Sequence, residues 1–213
     1  MFEEKLINEV FMADIRSVIF DWGGVLIDDP GPPMARYCSE ALGVSQGDFD
    51  EAVLQYASDF RKGLIEEGTF WERMCDFLDA ALPSDGSLWG AAFEAIYRPK
   101  TEMLEMVRKL RGSGYSTALL SNTETPAVDY YWQQGYDFFD EVVFSCVEHT
   151  KKPEREIYEL ALKRLGCDAE CAVFIDDREG CIKGAQAVGL STIWFKSIEQ
   201  AEAELKQLGV RTD

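Results

Sequence analysis

The sequence predicts an α/β fold in which a parallel sheet is flanked by helices and carries an all-helical insertion. From residue 101 onward, short apolar runs alternate with amphipathic helical patterns, which is typical of parallel strands joined by crossover helices. Between residues 28 and 98 the periodicity is helical only. We therefore expect a core of residues 15–27 and 99–213, a helical insertion of residues 28–98 and an N-terminal extension of residues 1–14.

The core elements follow this alternation in order. The predicted strands are short apolar runs at residues 17–20, 116–120, 141–144, 172–175 and 192–195. The predicted helices are amphipathic segments at residues 102–111, 127–135, 154–165, 182–188 and 198–208. Gly112 and Gly114 end the first of these helices, and Pro153 suits the first position of the third.

The insertion shows four helical patterns, at residues 34–42, 49–65, 70–82 and 88–97. The segment 28–33 that precedes them holds three prolines and a glycine, so we interpret it as a linker. Aromatic residues recur within the insertion at helical spacing, among them Phe60, Phe70 and Trp71. This spacing favours a packed core for the insertion over a ligand platform.

Composition limits the possible partners. The chain has 213 residues, 46% hydrophobic and 28% charged, as in ordinary soluble globular proteins. Its 39 acidic and 21 basic residues give a formal charge of −18, which opposes binding to nucleic acid or to an anionic membrane. A phosphate-bearing small molecule would need a local cation, and the sequence is compatible with a monomer or a small homo-oligomer.

Cysteine usage and the N-terminus bear on location. The six cysteines show neither the paired spacing of a disulfide framework nor that of a zinc site, which indicates a reducing compartment. Residues 1–14 lack a basic start followed by an apolar run, so they do not read as a secretory signal. Met12 is an alternative start position, which would make residues 1–11 an optional helix. We expect a cytoplasmic protein.

Polar side chains follow four of the predicted strands. They are Asp21 after the first, Ser121 and Asn122 after the second, Lys152 past the third, and Asp176 and Asp177 at the fourth. Because ligands of open α/β sheets bind beyond the carboxyl ends of the strands, we expect these groups to converge on one site.

The convergent groups are chemically coherent. Carboxylates without histidine or thiolate neighbours favour a hard cation, and Mg²⁺ fits best because it takes a few carboxylates together with water and phosphate. Lys152 and the Ser121 hydroxyl supply positive charge and a donor for phosphoryl oxygens. Asp21 is then the candidate nucleophile for an aspartyl-phosphate.

These segments resemble the four ordered motifs of the haloacid dehalogenase-like hydrolase superfamily. The matching residues are 20–26, 120–123, 152–158 and 174–177. Residues 62–71 resemble the helical cap of the branch that includes glucose-1-phosphatase-like enzymes and the phosphatase domain of epoxide hydrolases. The resemblance implies a modified Rossmann-like core with a mobile helical cap, and a phosphatase for which sugar phosphates are the favoured substrates.

The resemblance also implies roles for individual residues. Mg²⁺ would be held by Asp21, the backbone carbonyl of Gly23, Asp176 and Asp177. Phosphate would be bound by Gly23, Gly24, Ser121, Asn122 and Lys152, with Asp21, Ser121 and Lys152 as the catalytic residues.

One position departs from the family pattern. Phosphatases of the superfamily usually carry a second Asp two residues after the nucleophile, as general acid and base, and this chain has Gly23 there. Loss of a positioned acid costs about 3 to 5 kcal/mol of barrier lowering. We therefore expect activity to rise as the pKa of the leaving group falls.

Several alternatives stay open. The chain could be a catalytically weak binding or regulatory protein, a reading that Gly23 favours, or a 2-haloacid dehalogenase, which Gly23, Gly24 and the double Asp disfavour. Asp21 could be a turn residue, and the double Asp a helix cap. The single histidine, His149, could replace the missing acid or be a solvated loop residue.

Overall fold

The computed structural model describes residues 14–84 and 86–212. The predicted N-terminal extension falls almost wholly on residues 1–13 and therefore lies outside the described residues. Within the described part, no helix is long and apolar enough to cross a membrane.

A five-stranded parallel sheet forms the centre of the described chain, in the order β3-β2-β1-β4-β5. Its strands are β1 (Ser17–Phe20), β2 (Ser116–Ser121), β3 (Glu141–Phe144), β4 (Ala172–Asp176) and β5 (Ser191–Trp194). Phe20 pairs with Leu119 on one side and with Ile175 on the other, so β1 lies between β2 and β4. The predicted fold class is confirmed, and the strand that ends at Asp21 is the central one.

Helices flank this sheet and fill the insertion. They are α1 (Gly31–Leu42), α2 (Gln46–Arg61), α3 (Glu67–Leu78), α4 (Leu88–Ile96), α5 (Thr101–Gly112), α6 (Thr125–Gln133), α7 (Ser145–Glu148), α8 (Arg155–Leu165), α9 (Glu179–Ala187) and α10 (Ile198–Gln207). Helices α1–α4 lie in the chain between β1 and β2, where the sequence predicted an all-helical insertion. α7 was not predicted, because four residues are too few to show a period.

Alternate strand residues face opposite sides of the sheet, as the period of two requires. On one side Ile19 and Phe174 pack in a buried cluster with residues of α8 and α9. On the other side Phe20 and Ile175 belong to a cluster that includes residues of α5, α10 and the insertion. Both faces are covered, so the sheet edge at the carboxyl ends of the strands is where a site can open.

The insertion has its own aromatic core. Phe60 of α2 and Phe70 of α3 stack with their ring centroids 4.6 Å apart, and Trp89 of α4 meets both rings edge-on. Phe60, Phe70 and Trp71 are buried, which confirms the interpretation of the aromatic residues as a packed core.

The two connections between insertion and sheet lie side by side. Ile27 and Pro99 form an isolated antiparallel bridge, in which Lys100 N donates to Leu26 O at 2.9 Å and Asp28 N donates to Arg98 O at 2.9 Å. This bridge coincides with the predicted boundaries at residues 27/28 and 98/99, although the division into domains stays a prediction.

Two local predictions were wrong. Residues 31–33 of the supposed linker form the first turn of α1, where prolines are tolerated because first-turn N–H groups have no intrahelical partner. Pro153 is not the first residue of α8, which begins at Arg155. Instead, Glu154 N donates to Lys151 O at 2.7 Å, and this turn contains Lys152 and Pro153.

Candidate active site

Four of the predicted polar residues, Asp21, Ser121, Asn122 and Lys152, line one pocket. It is lined by Asp21 and Gly23 after β1, Ser121 and Asn122 at β2, and Lys152 after α7. Asp21 N donates to Ile175 O at 2.9 Å, which continues the β1–β4 ladder by one residue and aligns Asp21 with the end of β4. The predicted convergence of these side chains is therefore seen in the structure, although the catalytic roles assigned to them stay predictions.

Lys152 joins two of the carboxylates. Its Nζ lies 2.7 Å from Asp21 Oδ1 and 2.7 Å from Asp176 Oδ2. All three residues are buried, with at most 6% of their surface exposed. A buried charge persists only if it is paired and hydrogen-bonded, so each member of this triad depends on the others.

Asn122 holds the turn that carries Lys152. Its Nδ2 donates to Lys152 O at 2.8 Å, and its Oδ1 accepts from Lys152 N at 2.8 Å. Both the oxygen and the nitrogen of the Asn122 side chain are thus hydrogen-bonded to the backbone of Lys152. Asn122 lines the pocket, and the predicted role in phosphate binding would fall to its backbone. Neighbouring Lys151 is only half-buried and is not part of the triad.

Burial and charge act in opposite directions on these groups. Burial raises the pKa of Asp21 to about 7, against the lowering effect of Lys152 and with a further raising effect of Asp176. Burial alone would lower the pKa of Lys152, but the Asp21 and Asp176 carboxylates outweigh it and raise that pKa above its usual range. The two carboxylates therefore stabilise the charged form of Lys152.

The two carboxylates of the double Asp have different surroundings. Asp176 is satisfied at both oxygens, because Oδ2 accepts from Lys152 and Oδ1 accepts from Arg178 N at 2.8 Å. Asp177 Oδ1 is buried without a hydrogen-bond partner among the described residues. Burial and the nearby Asp176 charge raise the pKa of Asp177. An orphaned carboxylate oxygen of this kind is a natural cation ligand.

The donor set fits a divalent cation. Asp21, Asp176 and Asp177 each offer one oxygen such that the three lie within 4.8 Å of one another. Gly24, with φ +82°, leaves the room for this arrangement, since a Cβ there would lie 2.1 Å from Asp177 Oδ2. The all-oxygen set and the orphaned oxygen are the features that Mg²⁺ prefers.

Gly23 is closed on the side where a side chain would begin. A Cβ at this position would lie 2.9 Å from Pro30 Cδ, closer than ordinary packing allows. Pro30 itself lines the pocket beside Gly23. An acid at position 23 is therefore absent from the sequence and also obstructed by the structure.

The insertion contacts the core beside the site. Arg61 Nε lies 3.1 Å from Glu124 Oε1, and Trp89 Nε1 donates to Glu124 Oε2 at 3.1 Å. Ser145 Oγ donates to Arg61 O at 2.6 Å and accepts from Thr123 N at 2.9 Å. These contacts hold the C-terminal end of α2 against the edge of the sheet, so the insertion covers the pocket on the side opposite the strand ends.

Sequence reasoning missed several residues that line this pocket. Arg61, Glu124 and Arg178 lie along it, and Arg178 directly follows the double Asp. The sequence offered one signal for Arg178, its position next to the double Asp. Arg61 and Glu124 are 63 positions apart, so no sequence pattern links them. His149 is exposed and does not line the pocket, with Nδ1 2.9 Å from Lys62 O, so nothing in the described site supports it as a replacement acid.

A carboxylate paired with a buried lysine at the carboxyl edge of a parallel sheet lies where open α/β proteins bind their ligands. The model of the haloacid dehalogenase-like hydrolases matches residues 15–189. The chain belongs to this family and is a hydrolase, and the resemblance drawn from the four motifs is confirmed.

Relatives and solved structures agree with this assignment. The sesquiterpene phosphatase astK of Aspergillus oryzae is 27% identical over 91% of this chain and 96% of its own length. Acyl-CoA dehydrogenase family member 10 of Mus musculus is 29% identical over 91% of this chain, which spans only 19% of that protein. The HAD family enzyme BT-2542 of Bacteroides thetaiotaomicron, in complex with magnesium and inorganic phosphate, has a TM-score of 0.71 and 26% identity over 86% of this chain and 96% of its own.

Proposed function

We propose that this chain is a Mg²⁺-dependent phosphatase that hydrolyses a small phosphorylated metabolite through an aspartyl-phosphate on Asp21. The observation that carries the proposal is the position of Asp21, whose carboxylate lies 2.7 Å from Lys152 Nζ at the floor of the pocket. The similar enzyme whose structure holds magnesium and inorganic phosphate supports the same chemistry.

The proposed reaction has two steps, attack by Asp21 and attack by water. Asp21 attacks phosphorus, the bond between phosphorus and the ester oxygen breaks, and the alcohol leaves with a proton taken from solvent. Water then attacks the same phosphorus, which releases inorganic phosphate and restores the Asp21 carboxylate. Lys152 offsets negative charge in both steps, and Ser121, which lines the pocket, would donate its hydroxyl to a phosphoryl oxygen.

The cation would be held by Asp21, Asp176, Asp177 and the backbone carbonyl of Gly23. Asp176 also accepts hydrogen bonds from Lys152 Nζ and Arg178 N, so it would position Lys152 as well. When bound, Mg²⁺ supplies positive charge that favours the approach of an anionic phosphate to an anionic carboxylate.

The organic part of the substrate is less constrained. The sequence favoured sugar phosphates, and this stays a prediction, whereas one full-length relative is named as a sesquiterpene phosphatase. Both possibilities are small phosphate esters. The net charge of −18 makes nucleic acid and anionic membranes unfavourable partners.

The test is phosphate release from a panel of aryl, alkyl and sugar phosphates, with and without Mg²⁺. We expect Mg²⁺-dependent release that Asp21→Asn abolishes. If no ester is cleaved, or if Asp21→Asn matches the wild type, the enzyme proposal is wrong.

The second candidate is a phosphate-ester-binding protein of low catalytic activity, and the obstruction of position 23 by Pro30 favours it. Calorimetric binding of inorganic phosphate without turnover of any ester would support this candidate. The 2-haloacid dehalogenase alternative is disfavoured by the orphaned Asp177 oxygen and by the space that Gly24 leaves beside Asp177, because both fit a cation that such an enzyme does not use.

A further inference from the structure

The pocket has two chemically different ends. Its floor, at the strand ends, carries Asp21, Ser121 and Lys152. Its roof, formed by the insertion, is lined by the side chains of Met34, Ala35, Phe49, Val53, Trp89 and Phe93, which we call the apolar chamber. The chamber residues come from three helices, α1, α2 and α4, that share one buried cluster.

Charged side chains also line the pocket, Arg61, Lys151 and Arg178 among them, but the polar groups of Trp89 and Glu124 are paired with each other or with Arg61. Trp89 Nε1 donates to Glu124, and the remaining Glu124 oxygen is paired with Arg61. Asp50 is exposed at the rim. A polyhydroxylated group placed against Met34 and Phe93 would lose hydrogen bonds to water without gaining partners, and each unpaired polar group buried in this way is costly.

The size of the pocket suits an organic group of moderate length. Its volume is about 400 Å³, within the range of about 300 to 1,000 Å³ that is usual for small-molecule sites. At about 30 Å³ for a group the size of a water molecule, it holds about a dozen such groups. A phosphate at the floor therefore leaves space for an organic group of at least six carbons.

We propose that the apolar chamber binds the organic group of the substrate, and that this group is apolar: an alkyl, prenyl or aryl group of six or more carbons. The inference rests on the proposed phosphatase function and names its substrate class. This substrate class differs from the sugar phosphates that the sequence favoured. The sequence prediction used the family motifs, whereas the residues that face the organic group belong to the insertion. Lys152 and the Ser121 hydroxyl bind the phosphate, and the chamber selects the organic group of the ester.

The first experiment measures binding without turnover. Alkylphosphonates cannot be hydrolysed at the carbon–phosphorus bond, so propyl-, butyl- and hexylphosphonate are titrated calorimetrically into the full chain with Mg²⁺. Affinity is expected to rise by about fourfold for each added methylene, with an increasingly negative heat-capacity change. A polyhydroxylated six-carbon phosphonate should bind at least about tenfold more weakly than hexylphosphonate. Equal or tighter binding of the polyhydroxylated probe would overturn the proposal.

The second experiment uses two neighbouring residues of α2. Val53 is half-buried and lines the chamber, whereas Leu54 is 86% exposed. Val53→Asn should weaken hexylphosphonate binding by about tenfold and leave the affinity for inorganic phosphate unchanged. Leu54→Asn should change neither. If Val53→Asn binds hexylphosphonate as tightly as the wild type does, the hexyl group does not occupy the apolar chamber.

Turnover separates this inference from the function on which it rests. If the wild type cleaves a hexose phosphate as efficiently as hexyl phosphate, the substrate class is wrong and the phosphatase proposal stands. If hexylphosphonate binds with the expected chain-length dependence but no ester is cleaved, the chamber stands and the phosphatase proposal is wrong.

Discussion

The ring of Pro30 occupies the space into which a side chain at position 23 would extend, with Cδ 2.9 Å from a Cβ built on Gly23. Pro30 is the N-cap residue of α1, so the obstruction is anchored in a helix of the insertion. A side chain at position 23 therefore requires Pro30 to shift, so we expect that a single substitution does not restore the missing acid.

Gly23→Asp should lower stability without raising activity. We expect overpacking against Pro30 to lower the free energy of unfolding by about 1 to 3 kcal/mol. Urea unfolding of Gly23→Asp and the wild type measures this difference. The double variant Gly23→Asp/Pro30→Ala should cleave alkyl phosphates roughly 10- to 100-fold faster than Pro30→Ala alone, at or below the lower end of the contribution of about 10² to 10⁴ expected of a positioned acid. A gain in activity from Gly23→Asp alone would contradict the steric argument.

Activity should also depend on the leaving group. Because position 23 offers no proton donor, esters whose alcohols leave as stable anions should react fastest. The slope of log(kcat/KM) against leaving-group pKa across aryl phosphates of similar size should be steeply negative. In Gly23→Asp/Pro30→Ala the slope should become shallower, and a flat line for the wild type would refute the prediction.

Lys152 should be essential for stability, unlike its neighbour. Lys152→Met leaves the Asp21 and Asp176 carboxylates buried side by side without a counter-charge, and removal of one partner from a buried pair costs about 3 to 5 kcal/mol. The matched variant Lys151→Met should cost less than about 1 kcal/mol. Urea unfolding without added Mg²⁺ measures both, and similar losses would show that the two lysines are equivalent.

Gly24 should be required for cation binding. Gly24→Ala places a Cβ against the Asp177 carboxylate, and we expect Mg²⁺ affinity to fall roughly 10- to 100-fold, as for other residues that orient ligands. Gly43→Ala is the control, because Gly43 also has a positive φ, of +69°, but nothing within 4 Å of its Cβ. Both variants carry a backbone penalty of about 1 to 2 kcal/mol. If calorimetry gives equal Mg²⁺ affinities for Gly24→Ala and Gly43→Ala, the space beside Asp177 is not required for Mg²⁺ binding.

Stabilisation by Mg²⁺ should increase with pH. Burial raises the pKa of Asp21 to about 7, above the value of about 3.9 in an unfolded chain. In the metal-free protein, the stability contributed by this proton is present below the unfolded pKa and is lost as pH rises through about 7. Because Mg²⁺ competes with the proton, the increase in Tm that it produces should grow from about pH 5.5 to about pH 8. In Asp21→Asn the dependence should be much weaker.

The strand ends were predictable because each depends on local information. An apolar run followed by Asp21, or by Asp176 and Asp177, indicates both a buried strand and the point at which it stops. The parallel topology then brings those points to one edge. Asn122 was also found from the sequence, but its hydrogen bonds to the Lys152 backbone join residues 30 positions apart and only the fold shows them.

By itself the sequence determined the α/β core, the helical insertion and the polar residues at the ends of the strands, because hydrophobic periodicity and strand-terminal residues are properties of neighbouring positions. The tertiary structure decided which oxygen of the double Asp is left for a cation, why position 23 is closed, and that the roof of the pocket is apolar. Each of these depends on which distant segments meet. Periodicity shows that a helix has an apolar face, but the partner that covers this face is set by packing.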